Sequence, residues 1–389
     1  MSDNIKIDWV DINQLKPAEY NPRKSSQEED DRLKDSMTKF GFIDPVIVNS
    51  AENRKGVIIG GHFRVRVAKA MGITLAPVVY VNIPDIEKEK ELNIRLNKNT
   101  GSFDLGLLKN FSEDMLKLVG FDSKEMDKIF AVKEDEADND VPDVKTTDIK
   151  LGDMFKLGKH RVLCGDSTCR DDVARLMGSD KVAMIHTDPP YNVDYGSSKK
   201  TRHKIRQIEN DSMSTDEWSI FCHKLFDIFK EFNTGDIYMW GASSPEGMRM
   251  RLWLIELGCH WSATIIWKKQ RLCLTPANYQ RMYEPCFYGW FDKSSFNDDR
   301  KQTEVWEIDR PSNSKLHPTM KPIELCERAI INSSAREDII MDLFLGSGST
   351  LIAAEKTNRR CYGCEISPEY VEVICARWEK FTGGKREKI

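Results

Sequence analysis

From about residue 151 onward, short apolar runs at 182–187, 236–240, 264–267, 339–344 and 360–364 alternate with amphipathic stretches of helical length. Parallel strands cannot be joined by tight turns and need a crossover, usually a helix. The rhythm therefore predicts βαβ units and an α/β, Rossmann-like, doubly wound and largely parallel sheet over residues 151–389. Sheets of that kind place their chemistry at the carboxyl ends of the strands.

The chain before this segment reads differently. Residues 5–12, 45–48, 57–59 and 76–81 have strand character, with a hairpin across 51–53. Residues 28–40 and 62–71 have helical spacing and stop at Gly41 and Gly72, residues suited to a left-handed C-terminal turn. A more helical stretch follows from Pro84 to about Phe130. Only Trp9 of the nine tryptophans precedes Trp218, and all ten cysteines lie at Cys164 or beyond, so two segments of different composition are joined. The join falls at residues 133–150, KEDEADNDVPDVKTTDIK, which is acidic, broken by Pro142 and without apolar periodicity, as a solvated linker would be. The expected organisation is a small α/β domain over 1–132, a linker over 133–150 and the sheet domain over 151–389. No apolar run approaches the roughly 18 residues of a spanning helix. Residues 1–4 lack a signal-peptide layout, so the expected address is cytoplasmic, with reduced thiols. A net charge of −4 gives no global attraction for a polyanion, and nucleic-acid binding would need a local basic patch.

Residues 337–344 read as a buried strand running into Leu345-Gly346-Ser347-Gly348-Ser349-Thr350, after which 351–356 reads as a helix. Strand, glycine turn and helix N-terminus together offer backbone N–H groups and close approach to a ligand, although GxG by itself is more often a tight turn. Two neighbours favour a ligand: Asp342 lies beneath the loop, and Glu365 ends the next strand nineteen positions after Gly346, where an acid reaches ribose hydroxyls. The loop has no GK[ST], and Leu351 stands where a dinucleotide fingerprint has its third glycine. A ligand with adenine and ribose but no phosphate fits best, and S-adenosylmethionine is one.

A second motif, Asp188-Pro189-Pro190-Tyr191, follows the strand at 182–187. Two prolines stiffen the backbone and leave carbonyls without N–H groups beside them. An exocyclic base amine is a poor nucleophile because its lone pair is delocalised into the ring. The Asp188 carboxylate and Pro189 carbonyl would accept its hydrogens and favour a pyramidal nitrogen, and Tyr191 would stack an extruded base. The bland alternative is a turn that merely ends a strand.

Asp188-Pro189-Pro190-Tyr191 together with Asp342 to Thr350 resembles the DNA methyltransferases that methylate adenine N6 or cytosine N4, and the order of the motifs resembles their permuted beta class. The resemblance implies that Gly165-Asp166 meets the cofactor adenine and that His317-Pro318-Thr319-Met320-Lys321-Pro322 closes over the cofactor. The cofactor set is then Asp166, Asp342, Phe344, Gly346, Ser347, Gly348, Thr350, Glu365, His317, Thr319 and Lys321, with Asp188, Pro189, Pro190 and Tyr191 catalytic. Asp at position 188 favours adenine, since the cytosine-N4 form usually reads SPPY. Related protein-glutamine enzymes usually carry NPPY, which disfavours a protein substrate. Pro285-Cys286 mimics the nucleophile of cytosine-C5 enzymes, but the motif order is wrong for them, and Cys286 is expected to be a buried apolar residue. Cys361 and Cys364 form a lone CxxC, and no metal is expected.

Double-stranded DNA is the expected partner, held through the basic run Lys199, Lys200, Arg202, His203, Lys204 and Arg206 and the smaller group Lys268, Lys269 and Arg271. The irregular stretch 291–314 resembles the family's target-recognition position. A homodimer and a restriction partner are left open. In the first domain, Gly60-Gly61-His62-Phe63-Arg64-Val65-Arg66, with Asn21-Pro22-Arg23 and 41–48, resembles the N-terminal domain of ParB-like proteins. The two glycines before a helix bearing Arg64 and Arg66 form a candidate anion site, although His62-Phe63 stands where that pattern usually reads Glu-Arg. The expected activity is S-adenosylmethionine-dependent methylation of adenine N6 in DNA. The alternatives are cytosine N4, or a non-enzymatic ParB-like DNA-binding protein carrying a decayed methyltransferase.

Overall fold

The computed structural model describes residues 6–24, 27–97, 102–131, 141, 142, 144, 146–192, 212–273, 278–297, 301–309 and 320–389. The chain divides into two compact units, Met1–Ala131 and Val132–Ile389.

The first unit contains β1 (Ile7–Asp11), β2 (Arg23–Lys24), α1 (Gln27–Phe40), β3 (Val46–Asn49), β4 (Ile58–Gly60), α2 (His62–Ala70), β5 (Leu75–Val81), α3 (Ile86–Asn97), β6 (Ser102–Phe103), α4 (Leu105–Leu108), α5 (Glu113–Leu118) and α6 (Ser123–Ile129). Its main sheet has the order β1-β5-β3-β4, with β5 and β3 parallel and the other pairs antiparallel. Val46, Val48, Ile58 and Val78 pack beneath Val65, Val67 and Ala68 of α2 in one core. A second core joins Ile94 of α3 to Leu108, Leu116, Met126 and Ile129 of the short helices. Gly41 and Gly72 both have left-handed φ values, +78° and +74°, as their places after helices predict.

The second unit contains β7 (Met154–Leu157), β8 (His160–Cys164), α7 (Arg170–Met177), β9 (Val182–Thr187), α8 (Thr215–Phe232), β10 (Asn233–Trp240), α9 (Pro245–Glu256), β11 (His260–Cys273), β12 (Arg281–Trp290), β13 (Val305–Glu307), α10 (Ile323–Ser333), β14 (Ile339–Asp342), α11 (Ser349–Lys356), β15 (Arg360–Glu365), α12 (Pro368–Thr382) and β16 (Glu387–Lys388). Its ten-stranded sheet has the order β13-β11-β12-β10-β9-β14-β15-β8-β7-β16. Helices cover both faces: α10, α11 and α12 share a core with Met184, Trp240, Ile340 and Cys361, while α7, α8 and α9 share one with Ile185, Met239, Met341 and Cys364. The long α8 shows how sequence dictates this. Ser214 and Glu217 form a capping box at its start, and Trp218, Phe221, Leu225, Phe229 and Phe232 recur at helical spacing on the buried face.

The expected largely parallel sheet is corrected in one respect. The centre, β10-β9-β14-β15-β8, is parallel, but β12 runs antiparallel to both β10 and β11, and β7 and β16 form an antiparallel margin. Pro285 argues from sequence against a strand inside a sheet, yet it stands in β12 opposite Ile266. The stretch 291–314 is not wholly irregular either, because β13 pairs parallel with β11. The expected linker is also shorter at its far end. Ile149 is 7% exposed within the core that α10, α11 and α12 share, and the Thr147 hydroxyl lies 3.2 Å from Glu372 Oε2. Among the described residues, no helix is long and apolar enough to cross a membrane.

Candidate active site

The five parallel strands end on the same edge of the sheet, so Trp240, Thr187, Asp342, Glu365 and Cys164 mark one rim. Asp188-Pro189-Pro190-Tyr191 leaves this rim from β9, and the glycine loop leaves it from the adjacent β14. A hydrogen bond ties the two strand ends, Thr187 Oγ1 donating to Asp342 Oδ1 at 2.9 Å. Asp342 also accepts from the Phe344 N–H at 3.0 Å. Burial pushes its carboxyl up to about 6, because these neutral donors only partly replace the lost hydration.

Asp188 is one end of a row of four charges drawn from four segments of the chain. Its Oδ2 lies 2.5 Å from Lys321 Nζ, Lys321 Nζ lies 3.1 Å from Glu284 Oε2, and Glu284 Oε1 holds the ammonium of Lys269. The other Asp188 oxygen, Oδ1, accepts from the Tyr191 hydroxyl. Burial opposes the charge on Lys321, but Asp188 and Glu284 outweigh it and raise its pKa. Burial likewise opposes ionisation of Glu284, yet Lys321 and Lys269 hold its carboxyl down at about 2. Burial, and then the charges of Asp188 and Glu284, push the Tyr191 phenol well above its ordinary value, which leaves it a neutral donor. Lys321 Nζ stands 5.4 Å from the centre of the Trp240 ring, a further favourable contact for its charge.

Beneath this row lies His186, 2% exposed. Trp240 Nε1 donates to its Nε2 at 3.0 Å. An indole nitrogen only donates, so Nδ1 carries the imidazole proton and faces the Thr350 hydroxyl at 3.1 Å. Burial, reinforced by Lys321, pushes this histidine down to about 3, so it is neutral. Thr350 is therefore turned inward, 3% exposed, and its side chain does not line an open face of the loop as expected.

Gly346 and Gly348 have left-handed φ values of +52° and +84°. A Cβ on Gly348 would meet Ile374 of α12 at 3.3 Å, whereas one on Gly346 would meet nothing within 4 Å. The open side of the loop is thus at Gly346. The Gly346 N–H donates to Glu365 Oε2 at 2.8 Å, and Glu365 Oε1 accepts from the Ser367 N–H at 3.0 Å. Arg377 Nη1 donates to the Ser347 carbonyl at 2.9 Å, and the Ser349 hydroxyl donates to the Lys321 carbonyl at 2.8 Å. That last bond ties the loop to the lysine of the charge row. Phe344 is half-buried, with its ring 6.1 Å from Phe221, and Asp166 is exposed, its Oδ1 accepting from the Thr168 N–H at 2.8 Å.

Some expected site residues fall elsewhere. Lys199, Lys200, Arg202, Lys204, Arg206, His317 and Thr319 lie outside the described residues. Lys269 is not an exposed phosphate anchor. It is 8% exposed, buried in the charge row and 4.8 Å from the Trp267 ring centre, because successive residues of β11 face opposite sides. Lys268 takes the solvent side and pairs with Glu307 at 2.6 Å. Cys286 is fully buried on β12, and burial holds its thiol well above the ordinary value, the opposite of an activated nucleophile. Cys361 and Cys364 belong to the cores on opposite faces of the sheet and cannot chelate one ion together. In the first unit Arg64 pairs with Asp44, and Arg66 pairs with Asp30 at 2.5 Å. An anion there would have to displace carboxylates. Sequence reasoning missed Glu284, His186 and Trp240, and the one available signal for Glu284 was a lone acid in an otherwise apolar and aromatic run.

Both units are similar to known proteins. Residues 182–376 match the family described as DNA methylase, and residues 1–100 match the ParB N-terminal domain. The Type II methyltransferase M.HpaI of Haemophilus parainfluenzae is 25% identical over 250 residues, 58% of this chain and 76% of that protein. The Type II methyltransferase M2.LlaDCHI of Lactococcus lactis subsp. cremoris is 31% identical over 235 residues, 52% of this chain and 83% of that one. Among solved structures, an M1.HpyAVI–SAM complex is 20% identical with a TM-score of 0.42, covering 56% of this chain and 98% of that one.

Proposed function

The chain belongs to the DNA methylase family, and from that premise we propose that it methylates adenine N6 in double-stranded DNA, with Asp188 and Pro189 as the groups that receive the amine. S-adenosylmethionine supplies a methyl group carried on a sulfonium. The residues present fit that cofactor: open space stands where a Cβ of Gly346 would be, and the carboxylates of Asp342, Glu365 and Asp166 sit on the same rim. Phe344, Gly348, the Ser347 backbone and the segment ending in Lys321 complete the set.

The observation that carries the reading is adjacency. The amine acceptor and the glycine cradle leave neighbouring parallel strands, paired Met184 to Ile340 and Ile185 to Met341, roughly 5 Å apart. An Asp188 carboxylate with 29% of its side chain exposed is reachable by a base taken out of the duplex. It accepts one amine hydrogen and the Pro189 carbonyl accepts the other, which localises the nitrogen lone pair for attack. Tyr191 offers its ring to the base while its hydroxyl fixes the orientation of Asp188. Aspartate rather than serine at position 188 favours adenine. The basic run from Lys199 to Arg206, with Lys268, is the proposed phosphate contact.

Nucleoside analysis of DNA from cells expressing the protein tests the assignment and should find N6-methyladenine. Finding only N4-methylcytosine would move it to the other base. Asp188→Ala should keep S-adenosylmethionine affinity and lose transfer, because the lost acceptor acts only at the reacting amine. Cys286→Ser should stay active, and a folded but inactive serine variant would revive a thiolate mechanism.

A further inference from the structure

The row Asp188, Lys321, Glu284, Lys269 poses a problem for the proposed chemistry. In the base-free protein both Asp188 oxygens already accept, Oδ1 from Tyr191 and Oδ2 from Lys321. A base amine is a neutral donor, and it competes poorly with an ammonium for a carboxylate oxygen, since charge-assisted bonds are the stronger kind. Lys321 is only 8% exposed, so its ammonium cannot leave Asp188 for water and needs another carboxylate inside the protein. Glu284 resolves this. It is already 3.1 Å from the same ammonium, and its second oxygen is anchored by Lys269, so its position does not depend on Asp188. We propose that Glu284 is a positioning residue for methyl transfer: when the target amine arrives, Glu284 takes the Lys321 ammonium, and Asp188 Oδ2 is freed to accept from the amine. The inference rests on the reading of Asp188 as the amine acceptor.

The test measures kcat at saturating DNA and S-adenosylmethionine, beside the affinity for each and the melting temperature. Glu284→Gln leaves Lys321 with Asp188 as its one carboxylate among the described residues, so kcat should fall by about 10- to 100-fold, the worth of a hydrogen bond to a charged group. S-adenosylmethionine affinity should not change. Glu284→Asp, a carboxylate one carbon short of Lys321, should be intermediate, and it carries the test if the glutamine variant does not fold. The discriminating variant is Glu284→Gln combined with Lys321→Met. Removing the ammonium that Glu284 can no longer take should raise kcat above that of Glu284→Gln alone. If Glu284 and Lys321 were merely structural braces, the double variant would be the worse enzyme. Wild-type kcat in both Glu284 variants, or a double variant no better than Glu284→Gln, overturns the proposal. Asp188→Asn separates the two levels. If it remains active, the reading of Asp188 falls and takes this inference with it. If it is inactive while the Glu284 variants are unaffected, only the inference falls.

Discussion

Two junctions in this chain share one backbone plan. β4 passes through Gly61, φ +94°, into α2, and β14 passes through its glycine loop and Gly348, φ +84°, into α11, neither helix having a side-chain cap. By the usual argument about helix N-termini, both are ligand sites. Their surroundings separate them. In the first, Arg64 folds back to within 3.4 Å of where a Gly61 Cβ would be, and His62 accepts from the Ala18 N–H at 3.0 Å. Arg64 and Arg66 are held by Asp44 and Asp30. The junction is closed by its own side chains. In the second, neighbouring Gly346 faces open space, and its N–H is braced by a carboxylate from the next strand. A glycine before a helix permits close approach, but open space beside it decides whether anything approaches.

The largest expected effect tests that difference directly. Gly346→Phe puts a ring into the open space at a strain of about 1–2 kcal/mol for φ above zero. It should leave the protein folded and weaken S-adenosylmethionine binding at least about a thousandfold, roughly 4 kcal/mol. Gly61→Phe should leave that binding unchanged. Calorimetric titration of both variants checks this, and a Gly346→Phe protein that binds normally would place the cofactor elsewhere.

Strand-glycine-helix patterns, the proline tetrapeptide and the rhythm of the larger unit were legible because each depends on local spacing. Glu284 was not. It stands beside Pro285, which argues against a strand, and its meaning depends on Lys321, 37 residues along the chain, and Lys269, reached only once β11 and β12 are paired. Lys269 is misread because the apolar run stops at Trp267 while β11 continues to Cys273, and within a strand adjacent residues face opposite sides. Ile149 looked like part of an acidic linker because a single apolar residue has no periodicity to reveal its burial.

A second contrast concerns buried carboxylates. In the first unit Glu89 is fully buried, but Arg54, Tyr20 and Asn49 all donate to it. Burial opposes its ionisation, and these bonds outweigh burial and hold its pKa below the ordinary value. Asp342 has only neutral donors, and burial puts it at about 6. The signs therefore oppose. The stability from Glu89 is present above the unfolded carboxylate range and lost on acidification. For Asp342 the folded protein holds a proton that the unfolded chain releases, so its contribution is present below about pH 4 and lost as pH rises through 6. The Asp342 difference at pH 8 is about 3 kcal/mol at most. Asp342→Asn should accordingly be more stable than wild type at pH 8, with the advantage shrinking toward pH 5. Denaturant titrations of the two proteins across that range measure it, and an advantage independent of pH would mean that Asp342 is not the strained group.

The smallest expected effect concerns the first unit. If its glycine junction is closed, the unit adds nothing to the chemical step, and a fragment beginning near Asp143 should turn over at saturating DNA within about threefold of the full chain. The cut has to precede Thr147 and Ile149, because both are built into the second unit. Asp143 stands in an acidic, proline-broken stretch of sequence with few apolar residues, where a cut is best tolerated. If Arg64 and Arg66 exchange Asp44 and Asp30 for phosphates when DNA arrives, the fragment should lose DNA affinity or processivity instead. In that case Arg64→Gln with Arg66→Gln in the full chain should weaken DNA binding on all sequences alike and flatten its salt dependence, as loss of phosphate contacts does, whereas unchanged binding would mean that the carboxylates keep the arginines. A soluble fragment with no turnover at any DNA concentration would instead mean that the first unit completes the active site. The contrast between a closed junction and an open one would then have to be abandoned.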